Sequence, residues 1–140
     1  TIAITSKELQ SIGKKEVESN DILQWRYLLL ALSGYEMHLK TYRNPDYKFN
    51  VLHQVTLNEN FPRSVIYSLT RIRYYLENIM LIHEDQKKDL LHSFGKLHSK
   101  VRYMDLKEMD IANLRSFLVE VQTELSHFTT QLGHTYFSYS

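Results

Sequence analysis

Cysteine is absent from this chain of 140 residues. Without a thiol, the protein can have no disulfide bond, no thiolate ligand for a metal ion and no cysteine nucleophile. The absence fits a reducing compartment, and we therefore predict a cytoplasmic protein.

The chain also has little net charge and no long apolar run. Its formal net charge is +1, whereas a nucleic-acid-binding domain normally carries a clear basic surplus, so we expect no nucleic-acid partner. The longest apolar run, residues 27–32, is far shorter than the ~18 residues that indicate a membrane span. We therefore expect no membrane partner.

Glycine is scarce and scattered, at positions 13, 34, 95 and 133. Isolated glycines cannot form the glycine-rich loop that binds phosphate groups. Inside predicted helices they indicate close helix crossings, because glycine there costs about 1 kcal/mol relative to alanine. No serine, histidine and aspartate occur in a recognisable catalytic context. We predict no catalytic residue and no cofactor for this chain.

Three apolar ladders fill the second half of the chain. Each ladder steps by alternating threes and fours, which places its members along one face of a helix. Such faces need partners, so we predict an all-α fold, an antiparallel bundle of about five to six helices forming a single domain over residues 1–140. The ladders are Val65, Leu69, Ile72, Leu76 and Ile79; Leu90, Phe94, Leu97, Val101 and Met104; and Ile111, Leu114, Leu118, Val121, Leu125, Phe128 and Leu132.

Capping residues and breakers set the predicted helix limits. Pro62 should open a helix, because proline in the first turn loses no hydrogen bond, and Asp105 with Glu108 has the spacing of a capping box. The predicted helices cover about residues 6–17, 22 to 42 or 43, 50–57, 62–81, from the acidic turn at 83–85 to about 103, and 106 to 132 or 136.

Seven histidines raise the question of a metal site. Glu124 and His127 have the spacing of one ligand pair of a di-iron bundle, but such a site needs a second pair and two further glutamates. His92 and His98 are six residues apart, which is poor alignment on a helix. We therefore predict no metal site and expect Glu124 and His127 on a solvated helix face.

Glu36 falls on the apolar line of the second predicted helix, between Leu32 and Leu39. A carboxylate in a bundle core would need a partner, and we consider Arg63 or Arg71 as that partner. The alternative is that the apolar face turns toward Tyr35 or Met37 near the helix end.

Ten tyrosines accompany several arginines. Tyrosine and arginine together are typical of interaction surfaces, although tyrosine also completes cores while its hydroxyl stays hydrated. Both interpretations stay open for Tyr35, Tyr42, Tyr47, Tyr67, Tyr74, Tyr75 and Tyr103.

Three short segments resemble the bacterial alpha-E family in order and approximate spacing. Residues 61–65 read Phe-Pro-Arg-Ser-Val, residues 33–43 end in a Tyr-Arg pair, and residues 133–137 end in Thr-Tyr-Phe. The family is named for a Glu-Arg motif in its N-terminal half, and that motif is absent here. We therefore interpret the chain as the C-terminal part of a larger alpha-E protein.

The resemblance implies an all-helical protein associated with a circularly permuted ATP-grasp enzyme, and with a transglutaminase-like peptidase as a further neighbour. It predicts an accessory or binding module of ATP-dependent peptide ligation or modification. The alternative is part of an enzyme active site that the missing N-terminal half completes. Apolar surface left by that missing half could drive homodimerisation. The predicted binding residues are Tyr35, Glu36, Tyr42, Arg43, Arg63 and Ser64.

Overall fold

The computed structural model describes residues 5, 7, 9, 22–78 and 84–137. Every regular element in these ranges is helical, which confirms the all-α class. Thr5, Lys7 and Leu9 are helical, but the rest of the first predicted helix lies outside the described residues. The elements are α1 (Ile22–Ala31), α2 (Tyr35–Thr41), α3 (Tyr47–Leu57), α4 (Val65–Glu77), α5 (Glu84–Arg102), a 3₁₀ turn (Leu106–Glu108) and α6 (Ile111–Phe137).

The two longest helices, α5 and α6, run antiparallel. Lys100 of α5 contacts Glu120 and Glu124 of α6, whereas the Phe94 ring lies 5.1 Å from that of Phe128. Residues nearer the N-terminus of α5 therefore contact residues nearer the C-terminus of α6. The ladders form the buried faces of α4, α5 and α6, as predicted. Their buried members are Val65, Leu69, Leu76, Leu90, Phe94, Leu97, Val101, Leu114, Leu118, Val121 and Phe128.

The long second helix predicted for residues 22 to 42 or 43 is wrong, because the chain turns between α1 and α2. Ser33 has a φ of 57°, in the left-handed region that side chains rarely adopt. The Gly34 N–H donates to the Leu29 carbonyl at 2.7 Å. A Cβ at Gly34 would lie 2.7 Å from Phe61, so the absence of a side chain lets the Phe61 ring pack against this turn. Tertiary packing here overrides the apolar periodicity.

Helix starts also differ from prediction at three places. α3 begins at Tyr47, three residues early, because Asp46 accepts from the Phe49 N–H at 3.3 Å. α4 begins at Val65 rather than Pro62, with Ser64 as its N-cap. The stretch 106–108 forms the 3₁₀ turn, with Leu106 buried, and Asp110 then accepts from the Asn113 N–H at 2.7 Å at the true start of α6.

No helix in the described part of the chain is long and apolar enough to cross a membrane.

Candidate functional site

A buried polar pair links α2 to α3. Gln54 Nε2 donates to the Gly34 carbonyl at 2.8 Å, which fixes the orientation of the amide, because a carbonyl only accepts. Gln54 Oε1 then accepts from His38 Nδ1 at 2.9 Å. Both side chains are almost fully buried. The pair therefore holds the start of α2 against the middle of α3.

A second chain of hydrogen bonds runs from α2 to the start of α4. Tyr42 Oη lies 2.8 Å from His53 Nδ1, and it accepts from Asn58 Nδ2 at 3.0 Å. The Ser64 hydroxyl donates to the Asn58 carbonyl at 2.7 Å and accepts from the Tyr67 N–H at 3.1 Å. Asn58 therefore connects three helices through one side chain and one carbonyl.

Burial keeps the titratable members of these two networks neutral. Burial lowers the pKa of His38 and of His53 below the ordinary value of 6.5. It also raises the pKa of Tyr42, although the hydrogen bond from Asn58 opposes that effect. Neutral partners suit hydrogen bonds in a low-dielectric interior. The arrangement positions the backbone and offers no charged group for chemistry.

The turn over residues 58–64 is fixed from inside. The Asn60 N–H donates to Asn58 Oδ1 at 2.9 Å, and the Phe61 N–H donates to the Asn58 carbonyl at 3.2 Å. Phe61 is buried against Gly34. In the Phe-Pro-Arg-Ser segment, Phe61 and Ser64 thus face inward, whereas Pro62 and Arg63 are exposed.

An open cationic cleft of about 430 Å³ lies between α4, the end of α5 and this turn. His98 forms its buried floor, with Nε2 3.1 Å from the Thr70 hydroxyl. Burial is the main cause that lowers the pKa of His98, and the positive charges of Arg73 and Arg102 lower it further, while Glu59 opposes them. The cleft is lined by Glu59, Asn60, Tyr67, Thr70, Arg71, Arg73, His98 and Arg102.

Exposed tyrosines and arginines flank the cleft. Arg71 Nη2 donates to the Tyr75 hydroxyl at 3.0 Å and lies 5.4 Å from the centre of that ring. Arg102 lies 5.9 Å from the centre of the Tyr103 ring. Tyr75 and Tyr103 are 57% and 77% exposed. We call this surface the Arg–Tyr face; it comprises Arg71, Arg73, Tyr74, Tyr75, Arg102 and Tyr103.

The predicted binding residues divide between the interior and the surface. Tyr42 and Ser64 meet through Asn58 in the buried network. Glu36, Arg43 and Arg63 are exposed. Their side chains have no polar partner in the part of the chain that the structure describes, so the pairing of Glu36 with Arg63 or Arg71 is wrong. Because the chain turns between α1 and α2, Glu36 does not continue the apolar face of α1.

Tyr35, the sixth predicted residue, is half-buried on α2. The Arg26 guanidinium lies 5.4 Å from the centre of its ring. Arg26 also lowers the pKa of the neighbouring Tyr47, against the larger effect of burial, although neither the Tyr47 hydroxyl nor Arg26 Nε makes a hydrogen bond of good geometry. The alternative in which the apolar face turns toward Tyr35 and Met37 agrees with their packing against the core.

Sequence reasoning did not identify His38, Gln54 or Asn58, nor the floor of the cleft at His98. Gln54 and Asn58 carried a weak signal, since each is an amide side chain next to the apolar positions of α3. His98 and Thr70 are 28 residues apart and carry no local signal at all.

Histidine and acidic residues in the described ranges do not form a group of three that could hold a metal ion. The Glu124 side chain is 41% exposed and pairs with Lys100 at 2.8 Å, and His127 is exposed, so both lie on a solvated face of α6 as expected. Close approach of Gln54 and Phe61, rather than a helix crossing, explains Gly34 among the glycines, and no atom outside its own helix backbone lies within 4 Å of a Cβ built at Gly95 or Gly133.

Comparison with known proteins gives one family match. The model of the Alpha-E family, described as a predicted alpha-helical domain with a conserved ER motif, matches residues 1–137. No curated protein and no solved structure matches the chain. The sequence contains no Glu-Arg dipeptide, so the motif in the family description has no literal counterpart here. Because the match spans nearly the whole sequence, the chain belongs to the Alpha-E family.

Proposed function

We propose that this chain is the accessory binding module of a peptide ligation or modification system whose chemistry is supplied by an ATP-grasp enzyme. The family resemblance supports the setting. The Arg–Tyr face supports a docking role, and it is the observation on which the proposal depends. We further propose that the ATP-grasp enzyme docks on this face.

Exposed aromatic rings are the first reason to place the partner there. Tyr74, Tyr75 and Tyr103 are each more than half exposed. Tyrosine and arginine are enriched among the residues that dominate binding energy at protein interfaces. Tyr74 and Tyr75 lie on α4 with Arg71 and Arg73, and Tyr103 directly follows Arg102 at the end of α5. Tyrosine with arginine is the composition of an interface centre.

Preorganisation is the second reason. Arg71 is held against Tyr75 by both its hydrogen bond and its position over the ring. A side chain that is already ordered loses less entropy on binding, so more of its contact energy contributes to affinity. The hydrogen-bonded turn over residues 58–64 holds the nearby backbone in the same way and presents Arg63 to solvent.

The test is the affinity of the full chain for the ATP-grasp protein encoded nearest to it, measured by isothermal titration calorimetry. We expect Tyr75→Ala to raise Kd about tenfold or more, the effect of losing an interface anchor. Tyr27→Ala is the matched control, because Tyr27 on α1 is 61% exposed, close to the 57% of Tyr75. Arg63→Ala should also raise Kd while leaving the helical circular dichroism unchanged.

Two results would contradict the proposal. Equal losses of affinity for Tyr75→Ala and Tyr27→Ala would remove the Arg–Tyr face as the docking surface. Absence of binding by the unmodified chain at micromolar concentration would remove this partner.

A further inference from the structure

We propose that the cleft beside the Arg–Tyr face is a specific site for a small oxyanion, either a phosphate or a carboxylate group. This inference goes beyond the docking role, because this chain supplies every residue of the site and needs no partner protein to complete it.

The charge of the cleft is the first observation. Three guanidinium groups, those of Arg71, Arg73 and Arg102, line a space that contains one carboxylate, that of Glu59. The whole chain has a net charge of only +1. Even with Arg73 paired to Glu77, positive charge exceeds negative charge at this cleft, and a cleft of one charge sign raises the local concentration of ions of the opposite sign.

Unused hydrogen-bond donors are the second observation. Arg102 contacts the Tyr103 ring and makes no ion pair within the described ranges. Arg73 uses Nε for Glu77 at 3.2 Å, and Arg71 uses one Nη for Tyr75. A guanidinium has five N–H donors in a planar fork, so each arginine keeps donors that fit phosphate or carboxylate oxygens.

The floor of the cleft is the third observation. His98 is 5% exposed and is held by the Thr70 hydroxyl. Burial is the largest cause that lowers the pKa of His98, and the charges of Arg73 and Arg102 lower it further, while Glu59 opposes them. His98, Arg73 and Arg102 all line the same cleft. An oxyanion bound between Arg73 and Arg102 would offset these charges and favour protonation of His98.

Size restricts the ligand. A cleft of about 430 Å³ is large enough for a phosphate or carboxylate group, and because it is open to solvent such a group can enter it directly. The donors that line it, the guanidiniums, the Tyr67 hydroxyl and the Asn60 side-chain amide, match oxygen acceptors. Nothing in this donor set separates a tetrahedral phosphate from a planar carboxylate, so both are tested.

The experiment is an NMR titration of the histidine ring signals of the full chain, without any partner protein. Inorganic phosphate and acetate are added in separate series at constant ionic strength, with sodium chloride as the reference. We expect at least one of the two anions to saturate and to raise the pKa of His98 by about half a unit or more relative to chloride. The anion that saturates identifies the ligand class.

Two variants at the cleft should change the affinity in opposite directions. Arg102→Gln should weaken binding about tenfold, because a guanidinium is lost, and Glu59→Gln should tighten it several-fold, because a competing carboxylate is neutralised. Arg43→Gln is the control, since Arg43 is an exposed arginine that does not line the cleft. Circular dichroism verifies that each variant is folded.

The proposal is overturned if neither anion differs from chloride, or if Arg102→Gln and Arg43→Gln bind alike. Since no partner is present in this titration, its failure leaves the docking experiment with the ATP-grasp protein unaffected, and the reverse also holds.

Discussion

Gly34 occupies a position where a single hydrogen atom can face its neighbours and a methyl group cannot. A Cβ there would lie 2.7 Å from both the Gln54 amide nitrogen and the Phe61 ring. Gln54 is held by two hydrogen bonds and Phe61 is buried, so neither can move away at low cost. One residue therefore controls the contact among the α1–α2 corner, α3 and the turn before α4.

We expect Gly34→Ala to lower the free energy of unfolding by about 1–3 kcal/mol, the usual cost of overpacking a core. Gly95→Ala is the control: nothing outside its own helix backbone lies within 4 Å of its added Cβ, and alanine is the better helix former. The control should gain about 0.5–1 kcal/mol. Urea denaturation measures both, and two changes of the same sign would contradict the packing at Gly34.

The sequence alone predicted the surroundings of single residues poorly. Gly34 was expected inside a helix, at a close crossing, and only the close approach was right. The conflict between Glu36 and the apolar line was visible in the sequence, but its resolution was not. Phe61, which displaces the helix at Gly34, lies 27 residues further along the chain, beyond the reach of any local pattern.

At the scale of the elements, α6 has a sharp boundary between its buried face and its exposed face. Leu118 is 0% exposed, whereas Val119 is 43% exposed. Leu118→Ala should lower the free energy of unfolding by about 2–5 kcal/mol, because it removes buried methyl groups and leaves a cavity. Val119→Ala should change it by less than about 0.5 kcal/mol. Equal losses, measured by urea denaturation, would show that the face of α6 is assigned wrongly.

The long amphipathic helices were predictable because their period is local. The helix predicted to start at the turn over residues 83–85 and to end at about residue 103 is observed as Glu84–Arg102, so its predicted end is one residue late. The helix starts were less predictable, since each depends on which polar side chain reaches a free N–H. Asp110 rather than Asp105 caps α6, because residues 106–108 bury Leu106 in a 3₁₀ turn first.

For the molecule as a whole, three histidines couple stability to pH. His38, His53 and His98 each have a pKa below the ordinary value of 6.5, and burial is the largest cause in each case. The unfolded chain therefore binds protons more tightly than the folded one. Their stabilising contribution is fully present above pH 6.5 and is lost as the pH falls from 6.5 through the lowered folded values.

We expect the free energy of unfolding, measured by urea denaturation, to stay nearly constant from about pH 8 to pH 7. Below about pH 6.5 it should fall by at most about 1.4 kcal/mol per pH unit for each histidine, and the urea midpoint should fall with it. His53→Gln should flatten this dependence, whereas His92→Gln, at an exposed position, should leave it unchanged. A midpoint that is flat or higher at about pH 5.5 would contradict the assignment.

The candidate site, unlike the fold class, depends on contacts that only the assembled molecule brings together. Thr70 and His98 come from separate helices, and Arg73 and Arg102 line the same cleft as His98. In the sequence these arginines stand near acids such as Glu77, and the chain as a whole has a net charge of only +1. Charge balance along the chain does not reveal charge concentration in space.

The helices pack mainly against helices that are near them along the chain: α1 against α3, α3 against α4, α4 against α5, and α5 against α6. The loops that these contacts close are short, so the entropy of closure is small and increases little from one helix to the next. Folds of low contact order assemble quickly. During synthesis, each helix can therefore dock on its predecessor soon after it leaves the ribosome, without waiting for the end of the chain.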